Sequence, residues 1–276
     1  MRNVLLRDEA AGTLRIQQLN GRVTPTQAGG TISLDDKRSF LIDIDAGVIN
    51  TSVTDMSRLL NNRVFGYPGS PLSDIVLTVK GKQLKLNAKV KKGVVVPIEL
   101  LGEMGVTADG NMRVHETSLR ALKIPVKGLL GAFGVKMSDL VDAKGAKGVS
   151  VQGDDLILDV EEMLPPPRKR GRLTDVYSSG DQLVETFGHP NLQEKPGRWR
   201  SYLRFEGGVI EFGKLTMHDA DLVLTDNTNS EWFDFNLDRY QKQLEAGYNR
   251  VTPKLGLESY MPGYGRLKTG EVAKPK

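Results

Sequence analysis

Residues 75–92 constrain this chain more than any other stretch. Ile75, Leu77 and Val79 alternate with Val76, Thr78 and Lys80, and the turn Lys80-Gly81-Lys82 follows. Leu84, Leu86, Ala88 and Val90 then alternate with Lys85, Asn87, Lys89 and Lys91. A period of two sends successive side chains to opposite faces, so this is a hairpin with one apolar and one lysine-rich face. Residues 94–104 form a more continuous apolar run containing Pro97, which suits a strand near an edge or a bend. Asp109-Gly110 is a hairpin turn into Met112 and Val114. Together these signals predict a long antiparallel meander.

Two helical patterns accompany it. Ile49, Val53, Met56, Leu60 and Val64 recur at helical spacing behind Thr51 and Ser52, and Asp55 stands three residues after Ser52 as the acid of a capping box. This helix is expected to run to about Phe65, where Gly66, Pro68, Gly69 and Pro71 end it. In residues 125–141, Val126, Leu130, Phe133, Met137 and Leu140 fall at spacings of four, three, four and three, and with Leu129 and Val141 they form one apolar helical face. Gly128, Gly131 and Gly134 each cost about 1 kcal/mol of helix propensity, which predicts a break near Gly134 and a second short helix capped by Ser138. The rest of the chain is expected to be organised around this segment. It either packs closely against a neighbouring backbone or lines a slot for something linear and apolar.

Elsewhere the signals are weaker. Residues 1–47 read as irregular N-terminal strands, with Phe40, Ile42 and Ile44 on one side of a half-buried strand at 39–45. Val149 and Val151, a Gly153-Asp154 turn, and Leu156, Leu158 and Val160 resume the strands. Pro165-Pro166-Pro167 is a rigid corner followed by the positive cluster Arg168, Lys169, Arg170 and Arg172. After a strand pair at 173–177 and 183–187, Gly188-His189-Pro190 and Lys195-Pro196-Gly197 read as a linker. The expected organisation is a domain over 1–188, an extension over 198–264 and a flexible tail over 265–276. Within the extension, strands at 199–205 and 209–225 carry a bulge at Gly213, and Phe233, Leu237, Tyr240 and Leu244 mark a last helix. From Thr252 onward the chain reads as loop.

Composition narrows the function classes. With 276 residues, 39% of them apolar and 26% charged, the chain is of ordinary globular type, which excludes disordered and collagen-like classes. No run approaches the roughly 20 apolar residues that span a bilayer as a helix. Val4-Leu5-Leu6 is cut short by Arg7 and Asp8, too soon for a secretory signal, so the chain is expected either to be cytoplasmic or to have an export segment outside it. Cysteine is absent, which removes disulfides and thiolate metal sites but leaves the compartment open. The net charge of +4 comes from 38 basic and 34 acidic residues, a near-balance that favours solubility over a polyanionic partner. His115, His189 and His218 have no ligand spacing, and neither a Gly-x-Ser-x-Gly elbow nor a phosphate-cradling Gly-x-x-x-x-Gly-Lys loop is present. An enzyme is therefore not expected, nor a cofactor. Asp219, Asp221, Asp226 and Asn229 lack EF-hand spacing and read as turn formers, so no metal is assigned.

The helix at 53–65, the strands LTVKGKQLKLNAKVKKG (77–93) and above all LLGAFGVKMSDLVDAKGAKGVSVQGDDLILDVEEMLPPP (129–167) resemble the bacterial branch of the tubular lipid-binding, or TULIP-like, proteins. The resemblance covers about residues 40–187. It implies an α+β fold, in which a highly curved antiparallel β-sheet wraps amphipathic helices, here with a small C-terminal strand-and-helix subdomain. It also implies lipid binding or transfer in the periplasm or cell envelope. The expected apolar lining is Met56, Leu59, Leu60, Leu77, Leu84, Leu86, Leu129, Leu130, Phe133 and Met137, although each of these is also an ordinary core residue type. Lys80, Lys82, Lys85, Lys89, Lys91 and Lys92 form one positive stripe, and Arg168, Lys169 and Arg170 head another. Such stripes are either solvated strand faces with edge protection or contacts to anionic headgroups at a membrane surface. They lack interleaved aromatics, which speaks against nucleic acid. The alternative is a non-enzymatic interaction module with a fully packed core and a protein partner.

Overall fold

The computed structural model describes residues 1–9, 12–92, 94–121, 145–193 and 197–269. The glycine-bearing segment at 125–141 lies outside the described residues, and with it Leu129, Leu130, Phe133 and Met137.

The chain begins β1 (Arg2–Asp8), β2 (Gly12–Pro25), β3 (Ile32–Ser33) and β4 (Phe40–Ser52), followed by helix α1 (Val53–Leu59) and a π-helical turn over Leu60–Val64. Next come β5 (Leu72–Lys80), β6 (Gln83–Lys92), β7 (Val94–Val106), β8 (Met112–Ala121), β9 (Val149–Gln152) and β10 (Asp155–Leu158). Helix α2 (Val160–Met163) leads to β11 (Arg168–Arg170), β12 (Leu173–Ser179) and β13 (Gln182–Phe187). The last part holds β14 (Tyr202–Glu206), β15 (Val209–Phe212), β16 (Leu215–His218), β17 (Asp221–Asp226), β18 (Phe233–Asn236), α3 (Tyr240–Glu245), β19 (Tyr248–Val251), β20 (Leu257–Met261) and α4 (Tyr264–Thr269). The protein is thus mostly open β-sheet with a few short helices.

One sheet has six strands in the order β5-β6-β7-β8-β10-β9. Its hairpins are those the alternation predicts, with Ile75, Leu77, Leu84, Leu86, Ala88 and Val90 all buried. Pro97 lies opposite Lys89 in the β6–β7 ladder, next to Ile98, which pairs with Ala121 of β8. The larger sheet has eleven strands, ordered β12-β13-β4-β2-β1-β14-β17-β20-β19, with β11 beside β4 and β18 beside β1. Residues from the 198–264 stretch therefore extend the same sheet that begins at Arg2. A small sheet, β16-β15-β3, completes the set.

Several expectations are corrected here. Residues 1–47 are regular: β2 and β4 form a long ladder from Leu14 opposite Thr51 to Pro25 opposite Phe40. Register shifts between Ile16 and Gln18 and between Asn20 and Gly21 change the phase of the alternation and hide it from a period-two reading. Gly21 is required at the second shift, since a Cβ there would lie 2.0 Å from the Asp43 carbonyl oxygen. Ile49 belongs to β4 and not to the helix. Val160 opens a short helix instead of ending a strand, because the Asp159 carboxylate accepts from the Glu161 and Glu162 amides. Gly213, at φ +60°, turns the β15–β16 hairpin and is not a bulge. Phe233 and Phe235 lie on β18, paired in parallel with β1, so only α3 remains of the helix expected from Phe233 to Leu244; their burial follows period two. The expected loop after Thr252 contains β20, which pairs in parallel with β17.

Helix α1 starts as its capping box dictates: Ser52 Oγ accepts from the Asp55 amide at 3.0 Å and donates to the Asp55 carboxylate at 2.9 Å. It lies along the free edge of β5. Asn61 donates to the Ile75 carbonyl (2.7 Å) and accepts from the Ile75 amide (2.8 Å), while Ser57 Oγ accepts from the Leu77 amide (2.9 Å). Two helix side chains thus close a sheet edge that would otherwise expose its backbone. The same helix turns Met56 and Leu59 toward the larger sheet.

Candidate functional site

Between α1 and the eleven-stranded sheet lies a cavity of about 360 Å³. This falls at the lower end of the roughly 300–1,000 Å³ typical of small-molecule sites. The sheet supplies Leu14 from β2, Ile44, Ile49 and Thr51 from β4, and Glu185 and Phe187 from β13. Helix α1 supplies Met56 and Leu59, and the α2 region supplies Val160, Met163 and Leu164. Arg63, just past α1, donates to the Met163 and Leu164 carbonyls at 2.9 and 3.3 Å and so ties the α2 wall to the α1 wall. At the rim, Asp109 and Arg172 are exposed, with Asn111, Asp159 and Glu161 beside them.

Two ionisable side chains lie deep in this space. Glu185 is 4% exposed and has no hydrogen-bond or ion-pair partner among the described residues. Burial alone pushes its carboxyl up to about 7. It faces inward because β13 alternates and pairs Glu185 with Ile49 of β4, whose side chain also lines the cavity. Lys169 is 7% exposed, and burial pushes its ammonium down to about 8. Its Nζ donates to the Pro167 carbonyl at 3.2 Å.

Lys169 overturns its expected role as a headgroup contact on the surface. The cluster Arg168, Lys169, Arg170 is a strand, β11, paired in parallel with β4, so a period of two points its arginines outward and its lysine into the interior. Arg168 is exposed. Arg170 pairs with Asp43 at 2.7 Å. Of the stripe on the six-stranded sheet, Lys85 pairs with Glu99 at 2.5 Å and Lys89 with Asp74 at 2.7 Å. Lys91 is exposed and has no acidic partner among the described residues.

The expected apolar lining divides. Met56 and Leu59 border the cavity. Met56 also meets Leu60, Leu77, Leu84 and Leu86 around a separate gap of only about 20 Å³, which Leu100, Met112 and Leu183 help to close. That gap holds about one water and no alkyl chain, so this second group is packed interior. Glu185, Phe187, Leu14 and the α2 residues are cavity groups that the sequence reading did not single out. A carboxylate in phase with inward Leu183 and Phe187 on the strand Gln182–Phe187 was the available signal for Glu185.

Among the described residues, the other groups raised by the sequence are surface pairs and turn formers. His115 Nδ1 lies 2.7 Å from the Asp155 carboxylate on an exposed rung of β8 and β10. Asp226 accepts from the Thr228 amide, the Thr228 hydroxyl and the Ser230 amide, which is turn chemistry. Among the described residues no group of three or more His, Asp or Glu side chains is arranged to hold a metal ion. No family model matches the chain, and neither does any curated protein or solved structure.

Proposed function

We propose that this protein binds the apolar chain of a lipid, or of a comparable long-chain amphiphile, noncovalently in the cavity beside α1, and that it carries or presents that ligand. The observation that carries the reading is a cavity of about 360 Å³ walled by Leu14, Ile49, Met56, Leu59, Met163 and Phe187 with polar groups at its rim. Each methylene buried there contributes about 0.8 kcal/mol, so a dozen of them bind usefully without any catalytic or polar motif. Met56 and Met163 are adaptable walls for a flexible chain. In the finer form of this proposal the fold is TULIP-like, with the sheet curving around α1, and the setting is the periplasm or cell envelope.

The membrane-facing part of the reading is the tip of the β6–β7 hairpin. Val94 and Val95 are 68% and 58% exposed, and Val95 stands opposite the exposed Lys91 in the ladder, a pairing of apolar and cationic groups suited to an anionic bilayer surface.

Native mass spectrometry of the purified protein, followed by solvent extraction, tests the proposal. The expected result is a reproducible adduct of lipid mass. A clean apo mass that is unchanged after incubation with mixed phospholipids overturns it. One observation favours a second reading, an interaction module with a protein partner: the interior among Leu77, Leu84 and Leu86 is filled to within about 20 Å³. A partner recovered by crosslinking through the six-stranded sheet, together with the apo mass, establishes that alternative.

A further inference from the structure

The cavity is lined by four carboxyl side chains, Asp109, Asp159, Glu161 and Glu185, against two cations, Lys169 and Arg172. Both cations already donate to main-chain oxygens, Lys169 to Pro167 at 3.2 Å and Arg172 to Ala108 at 2.5 Å. Asp159 is engaged in capping α2. Glu185 differs from all of these. It is the deepest of the acids, 4% exposed, and among the described residues nothing donates to it.

A carboxyl with no protein donor needs its oxygens matched by water or by a ligand, and those of Glu185 are not sealed off from the cavity. What is missing at Glu185 is a donor, and the cavity it lines is large enough to admit one. An anionic headgroup entering this space meets four carboxyls against two cations, which keep N–H donors beyond those given to Pro167 and Ala108. An ammonium or hydroxyl meets an unoccupied acceptor.

Resting on the binding proposal above, we infer that the cavity selects an amphiphile whose buried polar end is a hydrogen-bond donor without negative charge, an ammonium or a hydroxyl, received by the Glu185 carboxyl. Glu185 then fixes which end of the ligand enters, while Met56, Leu59 and Phe187 hold the chain. The two donor sources separate by charge: an ammonium pairs with the ionised carboxylate, whereas a hydroxyl bonds either ionisation state.

Three probes that share one chain, decylammonium, 1-decanol and decanoate, test the inference by isothermal titration calorimetry on the full chain at neutral pH. Decanoate is expected to bind at least about tenfold more weakly than the better of the other two, the discrimination a hydrogen bond to a charged group supplies. Tighter binding of decylammonium identifies a cationic ligand, and tighter binding of 1-decanol a neutral one. Replacing the acceptor in Glu185→Leu is expected to erase the discrimination while alkyl binding persists. Glu185→Gln is expected to retain 1-decanol and to lose any advantage of decylammonium. Decanoate binding as tightly as the other probes overturns the inference and leaves the lipid-binding proposal standing. If none of the three probes binds the wild-type chain, both fall.

Discussion

The two sides of α1 are built differently. Toward the six-stranded sheet, Leu60, Leu77, Leu84 and Leu86 close around Met56 and leave about 20 Å³. Toward the eleven-stranded sheet, Met56 and Leu59 face about 360 Å³. The helix is the same, so the difference comes from the strands opposite. On the first side, past a bulge between Ser73 and Val76, β5 and β6 pair regularly and present Leu77, Leu84 and Leu86 inward, and side chains interdigitate to the density of an ordinary interior. On the second, β4 changes phase along its length and the inward positions include Thr51, Lys169 and Glu185. Packing Glu185 and Lys169 wholly against aliphatic side chains carries a large desolvation cost, and both border the open space. One side holds the fold together, and the other is available for a ligand.

The largest expected effect comes from truncating the packed side. Leu84→Ala removes side-chain volume from a filled interior and is expected to cost about 3 kcal/mol in urea denaturation. Leu14→Ala, facing the cavity, is expected to cost clearly less, about 2 kcal/mol, because Leu14 already borders open space and loses fewer contacts. An equal or larger loss at Leu14 breaks the contrast.

The buried acid gives the cavity side a pH signature. Because the Glu185 carboxyl is raised to about 7 in the folded protein, the native state holds that proton more tightly than the unfolded chain does. Stability therefore falls as pH rises from about 4.5 to 7, by roughly 3 kcal/mol from this group alone, and stays low above that range. In Glu185→Gln the fall is expected to disappear, as read from denaturation midpoints at pH 5 and pH 8. Lys169 acts in the opposite direction and at higher pH. Its folded value of about 8 lies below the usual 10.5, so its penalty is present at neutral pH and is relieved as pH rises through that interval.

Two smaller effects test how α1 joins the halves. Asn61→Ala leaves the Ile75 amide and carbonyl without their side-chain partners and is expected to cost about 2 kcal/mol, with faster hydrogen exchange at Ile75 and Leu77. Ser52→Ala removes the helix cap and is expected to cost about 1 kcal/mol, with exchange rising at Asp55 alone. If Ser52→Ala loosens β5 as much as Asn61→Ala does, the helix and the sheet edge act as one unit and not as two.

What the sequence discloses follows from how local each signal is. The hairpins at Gly81 and Gly110 and the cap at Ser52 are legible because a period of two, a turn residue and a three-residue spacing all lie within a few positions. Of the six described apolar candidates, Met56 and Leu59 border the cavity and Leu60, Leu77, Leu84 and Leu86 surround the small gap; all are inward as read, but the sequence does not say whether inward means a filled interior or a cavity. The β2–β4 ladder was obscured by its own bulges, and β18 was mistaken for helix because Phe233, Leu237 and Tyr240 satisfy a helical spacing by coincidence.

The sequence by itself determined the meander β5-β6-β7-β8, the start of α1 and the β-rich character, since each rests on neighbours in the chain. Only the tertiary structure decided that β1 pairs with β18 across more than two hundred residues, that Lys169 turns inward while Arg168 and Arg170 turn out, and that Glu185 stands unmatched in a cavity. Those outcomes depend on which distant strand supplies the opposite rung. Alternation can mark two faces on a strand, but only the pairing of remote strands decides what each face meets.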